Sequence, residues 1–129
     1  MNKLFVLILS ISASILFSSC EGGTTFTKSI DNRSTETIQV MLKSIYGNSE
    51  ETTILPNESK QIFWNDQMGF FVDDSYTCTQ LIDSIKLTIT NNKVLTKDIM
   101  NPDNWTRNST NGRNSREDCL FTLTNNDLQ

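Results

Sequence analysis

Three short runs in which every second residue is apolar constrain this chain more than anything else in it. Ile38, Val40 and Leu42 alternate with Gln39, Met41 and Lys43. Ile85, Leu87 and Ile89 alternate with Lys86, Thr88 and Thr90, and Cys119, Phe121 and Leu123 share one face of residues 118–124. A period of two belongs to a strand with one face on a core and the other in water. Shorter runs at 24–31, 52–55 and 60–64 have strand-forming composition. Turn signals separate them at Asn32-Arg33-Ser34, Gly47-Asn48-Ser49, Pro56-Asn57-Glu58-Ser59 and Asn65-Asp66. About seven short strands at such spacing predict an all-β fold: a single antiparallel β-sandwich, immunoglobulin-like or related, over residues 26–129. Its core is expected to take Ile38, Val40, Leu42, Ile85, Leu87, Ile89, Phe121 and Leu123.

The remaining segments are read locally. Asn91-Asn92 suits a tight turn with positive φ, so residues 85–97 are expected to form a β-hairpin, with residues 93–97 as its second arm. Met68 to Val72 is apolar around Gly69, where a bend is expected. Tyr76-Thr77-Cys78 reads as the possible start of a strand, and residues 80–84 fit a helical turn or a loop equally. Asn101-Pro102-Asp103-Asn104 reads as an N-cap followed by one helical turn with Pro at its first position. Residues 106–115 are nearly all Asn, Ser, Thr, Arg and Gly, the composition of a loop.

The N-terminus has a different character. Met1-Asn2-Lys3 precedes an apolar run from Leu4 to Phe17, and Ser18-Ser19-Cys20 follows. The run is shorter than the roughly 20 apolar residues of a membrane-spanning helix. Charged start, apolar middle and small-residue end are the parts of an export signal. Phe17-Ser18-Ser19-Cys20 resembles the lipobox of bacterial lipoproteins, which implies cleavage after residue 19 and lipidation at Cys20. Residues 20–25, polar and glycine-containing, would then be the lipidated tether. The rival reading is a plain secretory signal. The chain has three cysteines, and an odd cysteine in an exported protein needs a role. With Cys20 lipidated, Cys78 and Cys119 remain to form a disulfide in an oxidising compartment.

Composition narrows the chemistry. Of 129 residues, removal of 1–19 leaves 110, one domain of ordinary size. The balance of 11 basic against 15 acidic residues disfavours nucleic acid, whose phosphates need a basic face. The chain has no histidine, which removes the commonest general base and Ser-His-Asp or Cys-His chemistry. No cofactor and no metal site is expected.

Candidate sites are few. Asp66, Asp73 and Asp74, with Glu50 and Glu51 upstream, offer hard oxygen ligands for Ca²⁺. Their spacing matches no calcium loop, and solvated turn acids are the favoured reading. A carboxylate pair working on a glycosidic bond is the enzymatic version of the same observation. Trp64, in a strand, is expected in the core. Trp105 opens the polar stretch that also holds Arg107, Arg113 and Arg116. These four form the possible partner-binding set, by stacking on a sugar or by guanidinium recognition of an anion. The competing reading has Trp105 plugging the sandwich and the arginines in water. Asn-X-Ser/Thr triplets at Asn32, Asn57, Asn104 and Asn108 follow from a composition rich in these residues.

The order Asp83-Ser84-Ile85-x-Leu87-x-Ile89, Asn91-Asn92-Lys93-Val94 and Asn104-Trp105 resembles small lipoproteins of Bacteroidota-type bacteria. The resemblance implies an exported β-sandwich lipid-anchored to the outer membrane. It carries no functional residue. The expected function is a non-enzymatic binding or envelope-interaction module, attached to the membrane through its lipid, with an envelope protein or glycan as partner. An inhibitor or immunity protein belongs to the same class. The alternative is a small carboxylate-dependent hydrolase of envelope glycans.

Overall fold

The structure, a computed structural model, describes residues 22–69, 72 and 74–129. The expected export signal, with Cys20, and Asp73 lie outside the described residues. Among the described residues seven strands run in order: β1 (Gly23–Arg33), β2 (Ile38–Ser44), β3 (Ser49–Ile54), β4 (Glu58–Met68), β5 (Ile82–Ile89), β6 (Trp105–Thr110) and β7 (Asn114–Thr124). They form a four-stranded sheet, β4-β1-β7-β6, and a three-stranded sheet, β3-β2-β5. The two pack as a β-sandwich around one cluster of buried residues. Ile38, Val40, Leu42, Ile89, Phe121 and Leu123 are buried in it as expected, whereas Ile85 and Leu87 are only half-buried against it.

One ladder departs from the antiparallel expectation. The first and last strands, β1 and β7, pair in parallel from Gly23↔Asn114 to Arg33↔Thr124. Parallel neighbours need a long connection, and here the rest of the domain supplies it. Strand β1 also begins at Gly23, so residues 23–25, expected in a tether, belong to the sheet. Thr24 is fully buried there.

The expected hairpin forms its turn but not its ladder. Asn91 and Asn92 have φ of 60° and 55°, and Lys93 N–H donates to Thr90 O. Beyond that turn the chain bonds elsewhere. Val94 and Gln129 exchange backbone hydrogen bonds of 2.8 and 3.0 Å, and Thr96 N–H donates to Asp127 O. These partners lie some thirty residues away, and local turn chemistry carries no signal for them. The polar stretch expected as a loop is also ordered. Residues 105–110 are β6, paired antiparallel with β7, so cross-strand pairing has overridden weak strand propensity. Tyr76-Thr77-Cys78 starts no strand and lies in an irregular segment. Asn101 caps the helical turn Pro102–Asn104 by accepting from Asp103 N–H, as its sequence predicts.

A register shift separates Lys28↔Phe63 from Ser29↔Gln61, leaving Ile62 as an extra residue in β4. Such a bulge reverses the inward–outward phase of a strand. It allows adjacent Ile62 and Phe63 both to be buried, and it turns Trp64 outward at 58% exposure. The expectation that Trp64 is core is thereby overturned.

Candidate binding site

The four residues expected to meet a partner do not form one site. Trp105 is buried, its ring 5.4 Å from Phe121 and its indole Nε1–H donating to Ile99 O at 2.7 Å. It plugs the sandwich. Arg107 also faces inward, Arg113 lies in the exposed β6–β7 turn, and Arg116 faces outward beside Asp118. Among the described residues no group of three or more His, Cys, Asp or Glu is placed to hold a metal ion.

The inner face of the larger sheet carries charge that the sequence reading missed. Lys28 is fully buried on β1, and Glu117 is 1% exposed on β7. Arg107 grips Glu117 through both ends of its guanidinium, Nε to Oε2 at 2.8 Å and Nη2 to Oε1 at 3.1 Å, and Ser109 adds a third donor at 2.6 Å. That bonding holds the Arg107 pKa above its ordinary value. Residues 74–81 close over this cluster. Cys78 is bonded to Cys119 with Cα atoms 5.6 Å apart. Arg107 Nη1 donates to Tyr76 O at 2.9 Å, and Lys28 Nζ donates to Tyr76 Oη at 3.0 Å and to Cys78 O. Burial, and then the Glu117 charge, raise the Tyr76 pKa, so the phenol stays protonated. The signal for both charges was the alternation itself. Phe26 and Ile30 put Lys28 on the buried face of β1, and Cys119 and Phe121 do the same for Glu117 on β7.

Burial lowers the Lys28 pKa from 10.5 to about 7. An unfolded chain restores the ordinary value, so it binds an extra proton between about pH 7 and 10.5. Stability contributed by Lys28 therefore rises with pH across that window, while below about pH 7 the full cost of burying the ammonium is present. We expect the parent to gain up to about 1.4 kcal/mol per pH unit over Lys28→Met between pH 7 and 10. Parallel stability curves for the two proteins, measured by urea unfolding, would refute this.

On the outer face the strand registers align side chains in rows. Trp64, Thr27, Asp118 and Asn108 form one row. Gln61, Ser29, Leu120 and Thr106 form the next, and Asp66, Thr25, Arg116 and Thr110 flank it on the other side. Arg116 Nε bonds both Asp118 oxygens at 2.8 and 2.9 Å, and Thr27 donates to Asp118 as well. A shallow groove of about 340 Å³ crosses these rows between Gln61 and Asn108.

At the β4 edge, Trp64 also borders a second, smaller cleft of about 60 Å³ with Tyr46, Asn48, Glu50 and Asn65. Tyr46 is half-exposed and its hydroxyl accepts from Gln67 Nε2. Asn65 Oδ1 is buried without a hydrogen-bond partner, the one such side-chain atom among the described residues. Trp64, Tyr46 and Asn65 thus line one cleft at the β4 edge, and Trp64, on the opposite face of the strand from Asn65, also begins the row of Thr27, Asp118 and Asn108. Adjacent Ile62-Phe63 was the only sequence hint that Trp64 would face outward. No protein family, curated protein or solved structure was found to match this chain.

Proposed function

We propose that this chain is an exported lipoprotein, anchored to the outer membrane through Cys20, whose sandwich is a non-enzymatic module that binds an envelope glycan across strand β4. The observation that carries the reading is Trp64, turned outward by the bulge and shared between the edge cleft and the polar outer face. Sugar rings present an apolar C–H face ringed by hydroxyls. An exposed indole takes the first, and Gln61, Asn108 and the Arg116–Asp118 pair take the second. A hydroxyl or amide entering the cleft would satisfy Asn65 Oδ1, which otherwise costs about 1–3 kcal/mol as a buried unpaired acceptor.

The start of β1 at Gly23 supports a short tether that would keep the sandwich near the membrane surface, where envelope glycans lie. Purified full-length protein in detergent, screened against envelope polysaccharide fragments, should bind a subset. Trp64→Ala should weaken that binding about tenfold or more, the loss of one stacking contact and its burial. Intact mass of the same preparation should place the lipid on Cys20. Unchanged affinity in Trp64→Ala would overturn the site, and an unmodified Cys20 would overturn the anchor.

A further inference from the structure

The unclosed hairpin leaves a strand edge open. Among the described residues, β5 has a neighbour in the smaller sheet on one side only, β2. Thr90 N–H donates to Thr37 O, and the pairing continues in step through Ile38↔Ile89, Val40↔Leu87 and Leu42↔Ile85. Antiparallel ladders alternate between residues that bond the neighbour and residues that point away from it. Thr88, Lys86 and Ser84 therefore bond β2, and the backbone groups of Ile85, Leu87 and Ile89 point to the open side. No hydrogen bond from outside the ladder reaches these groups among the described residues.

The space beside this edge is shaped. A groove of about 400 Å³ lies between β5 and residues 93–99, which turned away to bond the C-terminus. Apolar Ile85, Leu87, Ile89, Leu95 and Ile99 line it, and Lys86 and Lys93 stand on it without a carboxylate partner among the described residues. Lys97 is turned inward, its Nζ bonded to Thr122 O at 3.0 Å and lying over the Phe121 ring. One carboxylate, Asp98, lines the groove and accepts from Met100 N–H. The groove is thus locally basic in a chain of net charge −4.

We propose that the open edge of β5 takes an extended acidic peptide segment of a partner protein as a fourth strand of the β3-β2-β5 sheet. Main-chain bonds to Ile85, Leu87 and Ile89 give the affinity, as in other strand-addition complexes, and alternate side chains meet the apolar floor. Charge selects the occupant. A second copy of this chain would bring Lys86 and Lys93 against their own symmetry mates, and edge lysines of this kind oppose self-pairing. Acidic side chains flanking the added strand meet the same lysines favourably.

The test uses the purified full chain and two short synthetic peptides, one alternating valine with glutamate and the other valine with lysine. Amide exchange by NMR should slow by about tenfold or more at Ile85, Leu87 and Ile89 with the glutamate peptide and not with the lysine peptide. Leu87→Pro removes the central open-edge N–H while leaving the β2 ladder its bonds, as proline is tolerated on the free side of an edge strand. It should lose the protection. Lys86→Glu with Lys93→Glu, at two exposed positions, should exchange the preference for that of the lysine peptide. Equal protection by both peptides, or by neither, overturns the proposal. So does concentration-dependent protection of the same amides without peptide, which would make a second copy the occupant.

Discussion

Arg107→Ala will destabilise the sandwich by about 3–5 kcal/mol at neutral pH, because it strands the Glu117 carboxylate inside the protein. Glu117 is 1% exposed and takes two of its hydrogen bonds from the Arg107 guanidinium. Without them only Ser109 Oγ still donates to this carboxylate among the described residues. The truncation also removes the donor to Tyr76 O and the guanidinium lying 5.2 Å from the Tyr76 ring. Much of the loss is the penalty on the charge left behind, not the worth of the pair. A buried ion pair exchanged as a whole for apolar residues is often neutral. Arg107→Met combined with Glu117→Leu should therefore cost far less than Arg107→Ala alone. Urea unfolding of the three variants decides it. A loss below about 1 kcal/mol in Arg107→Ala would mean that water reaches Glu117 in the folded state.

The same alternation that made the fold legible also encoded this cluster. Ile38, Val40, Leu42, Phe121 and Leu123 could be placed because period two and apolar chemistry agreed. At Lys28 and Glu117 the two signals disagreed. Period two put them inside, and charge argued for the surface. Position won, since the alternatives were to break the β1 and β7 ladders or turn Phe26, Ile30 and Phe121 into water. Each buried charge then needed partners, and residues 74–81 with Arg107 supply them. No local feature of Tyr76-Thr77-Cys78 announces that role, because it comes from contacts with residues about fifty positions before it and some thirty to forty after it.

Trp64 and residues 93–97 failed for a different reason. A bulge changes the phase of every residue after it, so one extra residue at Ile62 moves Trp64 from the core to the surface. Sequence periodicity cannot locate such a shift when both residues at it are apolar. The expectation of an 85–97 hairpin rests on its turn, and the turn is present. What was missing was an arm able to alternate. Val94 and Leu95 are consecutive, and their backbone finds the C-terminus instead. The candidate sites on this protein, the cleft beside Trp64 and the edge of β5, both arise where local pattern and tertiary pairing diverge.

Replacing both Cys78 and Cys119 by alanine will lower stability by about 2–5 kcal/mol. The bridge spans 41 residues, and the loop-closure estimate for that length is about 4 kcal/mol, acting on the unfolded chain. A competing account places the loss in the folded state, with residues 74–81 peeling off the polar face once their covalent pin is gone. The contacts around the pin favour the first account. Phe26 and Tyr76 pack with ring centres 5.2 Å apart, Arg107 holds Tyr76 O, and Lys28 holds Tyr76 Oη and Cys78 O. Releasing the segment would give up all of these contacts. The two accounts separate through pH. If the segment stays seated, Lys28 keeps its lowered pKa, and the variant shows the same rise in stability between pH 7 and 10 as the parent. If the segment peels away, Lys28 is hydrated, its pKa returns toward 10.5, and the rise disappears. We expect the curve of the alanine pair to lie below that of the parent and parallel to it. A loss under about 1 kcal/mol, or a flattened curve, would refute that expectation.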